Sequence, residues 1–273
     1  MNALLLLVAF GPLQFEGDDT FTSLQKEAYQ SRIGDQPMPV RMDFFARRLL
    51  GRPYVGWTLE QSITSEYCYV SLERLDCVTF AETVLGLANV RWNSRAYVGP
   101  YMLIDNVRQT RYRGGKEDGY LSRLHYTSDW IFDNTRKGFV KDITPSLPGA
   151  KRFVKTINFM SENSQLYRQL KANPELIPIL KRQEAELTAR EKWFVPKDQV
   201  AKAEKHLQTG DIIAITDSRE GMDCAHVGLI IVEKGVPHFV HASSAQKKTV
   251  IDVRLSEYLL NGHTGIMVAR PRG

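Results

Sequence analysis

The spacing of apolar positions divides the chain into four regions. Residues 20 to 100 carry mostly helical spacing, and within them Met42 to Leu50 reads as a short amphipathic helix stopped by Gly51 and the Arg52-Pro53 break. From Asp76 to Val90 the apolar residues again follow a helical period, with Asp76 placed to cap the first turn. Residues 100 to 150 lose that period: Gly114, Gly115, Gly119, Gly138, Pro145 and Pro148 fall among many aromatics, which predicts a long structured loop or a small inserted lobe. Residues 151 to 207 turn helical once more, where Asn173 and Pro174 supply an N-cap and a first-turn proline. From Asp211 onward the segments Asp211 to Thr216, His226 to Glu233, Val236 to Ala242, Thr249 to Val253 and Gly265 to Arg270 are short, rich in Val and Ile and separated by turn residues. They predict an antiparallel sheet, and a helical first half followed by strands predicts an α+β fold with a helix packed on a curled sheet.

Composition narrows this picture. The chain has 273 residues, 43% hydrophobic and 25% charged, enough for one domain with a full core. The 36 Lys and Arg exceed the 31 Asp and Glu, giving a net charge of +5 that favours anionic partners. The basic residues are scattered, with no zinc-finger spacing and no aromatic RNA-binding box, so nucleic acid is not the expected partner. The run Ala3 to Phe10 is too short to span a bilayer and has the length of a signal-peptide core, so residues 1 to 18 are expected to be an atypical or truncated export signal and 19 to 273 the domain, with no stable membrane insertion. Three cysteines, Cys68, Cys77 and Cys224, are too few for a disulfide framework, which directs attention to what a free thiol does in an oxidising compartment.

Cys77 follows Asp76 at the start of the most regular helix. The positive end of a helix dipole and its unpaired amides stabilise a thiolate, and they can also donate to an oxyanion forming beside the sulfur. A base is available on the sheet. The turn Lys234-Gly235 joins two strands, and pairing Glu233 with Val236 sets His241 opposite Gly228, on the same face as His226 and within imidazole reach of it. Gly228 leaves space beside the pair, and His238 points the other way. A thiol lowered by this setting is expected to rest as a thiolate beside an imidazolium and to give a bell-shaped pH profile. His206 and His263 carry no such pattern and read as surface residues. A metal site built from Cys224, His226 and either Cys77 or His241 is the alternative chemistry, but it lacks the paired close-spaced ligands of structural zinc motifs.

Gly51-Arg52-Pro53-Tyr54-Val55, Leu75-Asp76-Cys77-Val78-Thr79-Phe80, Thr209-Gly210-Asp211, His226-Val227-Gly228 and His241-Ala242-Ser243 resemble, in this order, the motifs of the NlpC-type, papain-like cell-wall cysteine hydrolases. Within that group, Arg111-Tyr112-Arg113-Gly114-Gly115 and the stretch Ser122 to Ile131 resemble the extra lobe of the N-acetylmuramoyl-L-alanine amidase-like branch. Asp-Cys-Val-Thr in place of the frequent Asp-Cys-Ser-Gly fits that branch. The resemblance implies a papain-like fold with the triad Cys77, His226 and His241, and an oxyanion site at Cys77 and Tyr54. It implies peptidoglycan fragments as substrate, cleavage between N-acetylmuramic acid and L-alanine, and a periplasmic or otherwise exported enzyme. No cofactor or metal is expected, and the chain is expected to be a monomer. Asp76, Arg123, His125, Tyr126, Asp129 and Trp130 are the candidate substrate contacts, although Arg123 with Asp129 could instead form a structural ion pair and Trp130 anchor the lobe. Tyr112, Tyr120, Tyr126, Trp130 and Phe132 offer sugar-stacking faces. The competing functions are a D-glutamyl-diamino acid endopeptidase of the same superfamily and a glycan-binding module without catalysis.

Overall fold

The computed structural model describes residues 14–93, 98–259 and 261–273. Helices α1 (Asp18–Gln30), α2 (Met38–Arg48) and α3 (Cys77–Ala88) come first, then α4 (Pro100–Arg111) and α5 (Thr127–Lys137). α3 begins where Asp76 accepts the amide of Thr79 at 2.8 Å while the Thr79 hydroxyl accepts the amide of Asp76 at 2.8 Å, a reciprocal cap that fixes the first turn. Every residue from Thr79 to Ala88 is buried, as expected of a helix that is apolar nearly all round.

The strands are β1 (Phe15–Glu16), β2 (Val70–Ser71), β3 (Val140–Asp142), β4 (Lys151–Arg152), β5 (Trp193–Pro196), β6 (Ile212–Asp217), β7 (Cys224–Glu233), β8 (Val236–Ser243), β9 (Lys248–Arg254) and β10 (His263–Pro271). β1 and β2 form a small parallel pair. The main sheet runs β4-β5-β10-β6-β7-β8-β9, antiparallel throughout, with β3 also on β10. Strand alternation sends Ala214, Val227, Leu229, Val240 and Met267 into one core with α2, α3 and α4, and Ile213, Ile230, Phe239 and Val268 into a second core on the opposite face. A third cluster, around Tyr126, Ile157, Leu170 and Leu180, lies under the segment between α5 and β5. The fold is α+β, and the five expected C-terminal strands are all present, in the antiparallel order β10-β6-β7-β8-β9.

Three expectations change. Residues 100 to 150, expected as a structured loop or a small inserted lobe, hold two helices, because Pro100 starts α4, Gly138 ends α5 in a left-handed conformation, and Gly114, Gly115 and Gly119 are confined to the link between them. In 151 to 207 the one long helix is Ile177–Ala189, and Trp193–Pro196 joins the sheet. Asn173 does not cap; its amide donates to the carbonyls of Ile63 and Gln169, and Pro174 opens a short 3₁₀ turn. Residues 1–13 of the expected export signal lie outside the described residues, while Phe15–Glu16 pairs with Val70–Ser71, so the domain reaches back to residue 15. Among the described residues no helix is long and apolar enough to cross a membrane.

Candidate active site

Cys77 is the first residue of α3 and half-buried. Three backbone amides, those of Val227, Val78 and Cys77 itself, are directed at its sulfur. The Val227 contact fixes the tip of α3 to the strand residue that follows His226. Tyr54 is brought alongside by a bridge between Tyr54 and Leu75, and burial, then the neighbouring Cys77 and Asp76, raise the pKa of its phenol.

The two histidines meet as the register requires. β7 and β8 pair with Glu233 opposite Val236 and Leu229 opposite Val240. His226 Nε2 lies 2.7 Å from His241 Nδ1, and His241 Nε2 lies 3.4 Å from Asp252 Oδ2. The pairing of β6 with β7 slips by one residue between Cys224 and His226, an irregularity that re-aims His226. Gly228 does provide space beside the pair, and Phe239 fills it: a Cβ there would come within 2.5 Å of that ring. Phe239 stacks on His241 at 4.8 Å and meets His226 edge-on at 5.8 Å, while Tyr258 packs beside Phe239 at 4.7 Å and lies 4.8 Å from His241 and 6.0 Å from His226.

These contacts assign the tautomers. A carboxylate only accepts, so His241 carries its proton on Nε2 toward Asp252 and presents a bare Nδ1. His226 must then donate from Nε2, which leaves its Nδ1 as the free lone pair. Burial, followed by His241 and His263, pulls His226 down to about 3, so it is a neutral base. Burial and then the Asp76 charge push the Cys77 thiol up to about 12 against the three amides. This corrects the expected thiolate and imidazolium pair. The helix-end amides are present, but loss of solvent outweighs them, and the resting site is thiol and neutral imidazole.

A cleft leads away from Asp76 and Val78 past Leu124 and His125. One arm is apolar and narrow, between Ala81, Trp130, Ile212 and Val227. The other is a cavity of about 190 Å³ bounded by Trp57, Glu60, Glu82, Arg111 and Arg123. Asp76, Arg123, His125 and Trp130 therefore reach the cleft, but each is tied. Asp76 is engaged in the α3 cap, and Arg123 Nη2 donates to Glu60 at 2.6 Å. His125 Nε2 donates to the Tyr120 carbonyl at 2.9 Å, and Trp130 Nε1 donates to Glu82 at 3.2 Å. Tyr126 donates to Glu184 at 2.7 Å and accepts the Met160 amide at 2.8 Å. Asp129 binds Arg113 and Arg190, both at 2.7 Å, instead of Arg123. Tyr126 and Asp129 do not line this cleft. Of the proposed sugar-stacking rings, Tyr112, Tyr120, Tyr126 and Trp130 are buried, and only Phe132 is substantially exposed. Among the described residues no group of three or more His, Cys, Asp or Glu is gathered to hold a metal ion.

Residues 44–266 match the family model described as AmiA-like, N-acetylmuramoyl-L-alanine amidase-like. The chain belongs to this amidase-like family. A structure named an N-acetylmuramoyl-L-alanine amidase from Bacteroides uniformis is 36% identical, covers 86% of this chain and 99% of its own, and superposes with a TM-score of 0.77. A structure named a putative xylanase from Bacteroides fragilis is 33% identical, with 82% and 98% covered and a TM-score of 0.74. A Legionella pneumophila protein at 22% identity and a TM-score of 0.71, covering 92% of this chain and 94% of its own, shares the fold. No functionally curated protein matches.

In this amidase-like chain the sequence pattern passes over three residues, Asp252, Tyr258 and Trp57, and places a fourth, His263, on the surface. Asp252 lies on β9 two positions from Val250, the partner of His241, and carrying the strand ladder one hairpin further would have found it. Tyr258 sits in a short helical turn, Leu255–Tyr258, with no periodic signal. His263 is half-buried at 6.3 Å from the Tyr258 ring, not a surface residue. Trp57 stands in an aperiodic stretch.

Proposed function

We propose that the protein is a peptidoglycan hydrolase of the NlpC-type, papain-like kind that cleaves the amide between N-acetylmuramic acid and L-alanine. The observation that carries this reading is the continuous hydrogen-bond path from His226 through His241 to Asp252, beginning next to the strand residue whose amide holds the Cys77 sulfur. His226 Nδ1 takes the thiol proton as sulfur attacks the lactyl carbonyl carbon. The oxyanion is received by the Cys77 amide and the Tyr54 hydroxyl. His226 returns the proton to the alanine nitrogen, the C–N bond breaks, and a thioester remains. Water, deprotonated by the same imidazole, hydrolyses the thioester and restores the thiol. His241 and Asp252 hold the His226 tautomer and stabilise its transient charge. The narrow apolar arm beside Val227 suits the small alanine side chain. The substrates are peptidoglycan fragments, the place of action is the periplasm or another part of the cell envelope, and the active form is a monomer.

The test is mass spectrometry of products from defined muropeptides. Free N-acetylmuramic acid together with an intact stem peptide is expected from the wild type and not from Cys77→Ala. Products that keep L-Ala-D-Glu on the sugar would replace this reading with an endopeptidase.

A further inference from the structure

The last bond of the histidine path is its longest. The His241 side chain is 1% exposed, but that of Asp252 is 21% exposed on the edge strand β9, and the 3.4 Å between them is near the outer limit for a hydrogen bond. A carboxylate so placed can turn into water, and a slight turn would release His241. Two donors oppose that turn. The Val253 amide donates to Oδ1 at 2.8 Å, and Gln246 Nε2 donates at 2.9 Å to Oδ2, the same oxygen that faces His241. The first comes from the adjacent residue, so the backbone supplies it; the second needs a side chain brought in from the turn between β8 and β9. That turn is itself anchored. The Gln246 amide donates to Ser243 Oγ at 3.1 Å, Lys247 is left-handed at φ +57°, and the Lys247 carbonyl accepts the amide of Tyr54 at 2.9 Å. One exposed turn thus grips the carboxylate end of the path and the residue assigned above to the oxyanion.

We infer that Gln246 is a positioning residue of the reaction: it keeps Asp252 turned toward His241, so the tautomers of both imidazoles are held from the β8–β9 turn. A primary amide suits this task. Beside a carboxylate it must present its NH2, which fixes its own orientation. A lysine would also donate, but its charge would cancel the negative charge that stabilises the imidazolium as it forms. The inference rests on the amidase reading and adds to it a residue that touches none of the reacting atoms.

The test is a double-mutant cycle on muropeptide turnover with Gln246→Ala, Asp252→Ala and the two together. Gln246 is exposed, so its truncation removes no core packing and the variant should fold as the wild type does. Gln246→Ala is expected to lower kcat about threefold, the scale of one neutral hydrogen bond, with KM unchanged. In the Asp252→Ala background the same change should cost less than about 1.5-fold, because Gln246 then has nothing to hold. An unchanged kcat in Gln246→Ala, a loss carried by KM, or a full threefold loss in the Asp252→Ala background overturns the inference. If the wild type cleaves no muropeptide, the amidase reading fails separately, and the ¹⁵N shifts of the His241 ring decide the role of Gln246. Shifts in Gln246→Ala that move toward those of Asp252→Ala support it, and shifts that stay at the wild-type values overturn it.

Discussion

α3 carries two buried polar clusters that treat charge in opposite ways. At its middle, Glu82 meets Arg111 at 2.7 Å with both side chains 3% exposed or less, and Arg111 also donates to the Tyr69 carbonyl. Burial works against the Arg111 charge, yet Glu82 and its other neighbours outweigh burial and the pKa is raised. At the start of α3, His226 has no carboxylate against it and burial takes it to about 3. The carboxylate on its hydrogen-bond path, Asp252, stands one ring away, beyond His241, and is itself partly exposed. A buried charge persists where a partner touches it. Where the partner is withdrawn by one ring, the group stays neutral and charge appears only as the reaction creates it.

Removing the nucleophile tests the contrast most severely. Cys77→Ala should reduce muropeptide hydrolysis by at least about 10⁴-fold, with His226→Ala close behind because the two act as a unit. Thermal melts should stay near wild type, since no permanent charge is stranded; turnover surviving in Cys77→Ala would remove the thiol mechanism. The reverse pattern is expected at the other cluster. Glu82→Ala leaves the Arg111 charge buried and unpaired, which should cost about 3–5 kcal/mol in urea unfolding. A loss below about 1 kcal/mol would mean the pair is as dispensable as an exposed one.

Asp252→Ala should have a smaller effect, roughly tenfold on kcat, or about 1.4 kcal/mol, with KM unchanged. The His226–His241 contact remains, but the tautomer is no longer imposed. His241→Ala should fall between Asp252→Ala and His226→Ala, and equal effects of all three would show that the relay does not grade as its geometry implies.

The smallest change sought is in pH dependence. His226 acts as a base when unprotonated, so its lowered pKa should extend activity to the acid side of 6.5. The raised Cys77 pKa should make iodoacetamide alkylation slower than that of a free thiol below pH 9. Rapid alkylation of Cys77 below pH 7 would restore the thiolate and imidazolium pair.

The sheet and the histidine pair were legible because strands alternate with period two and Lys234-Gly235 fixes the hairpin register. The start of α3 was legible because its cap is a local bond between Asp76 and Thr79. What failed depends on depth. Composition shows that Tyr112, Tyr120 and Trp130 are aromatic, not that they are buried, and it cannot show that Trp57 is exposed. Helix-end amides can be read from sequence, whereas the burial that outweighs them at Cys77 comes from distant segments. Asp252 needed the β8–β9 pairing as well, which sets Val250 opposite His241 and Asp252 two positions further on.

The turn between β7 and β8 has both central residues left-handed, Lys234 at φ +50° and Gly235 at φ +80°, the geometry that closes a hairpin with two residues. It thereby sets a parity. An insertion of a single residue that shifted β8 against β7 would turn His241 to the α3 side and send Val240 and Ala242 the other way. Either the strand would reject the shift by bulging, or the protein would keep its sheet and lose its base pair of imidazoles together. Length variation along this lineage is therefore expected to spare the turn by odd steps and to collect in segments that do not count toward the register, such as the link between α4 and α5.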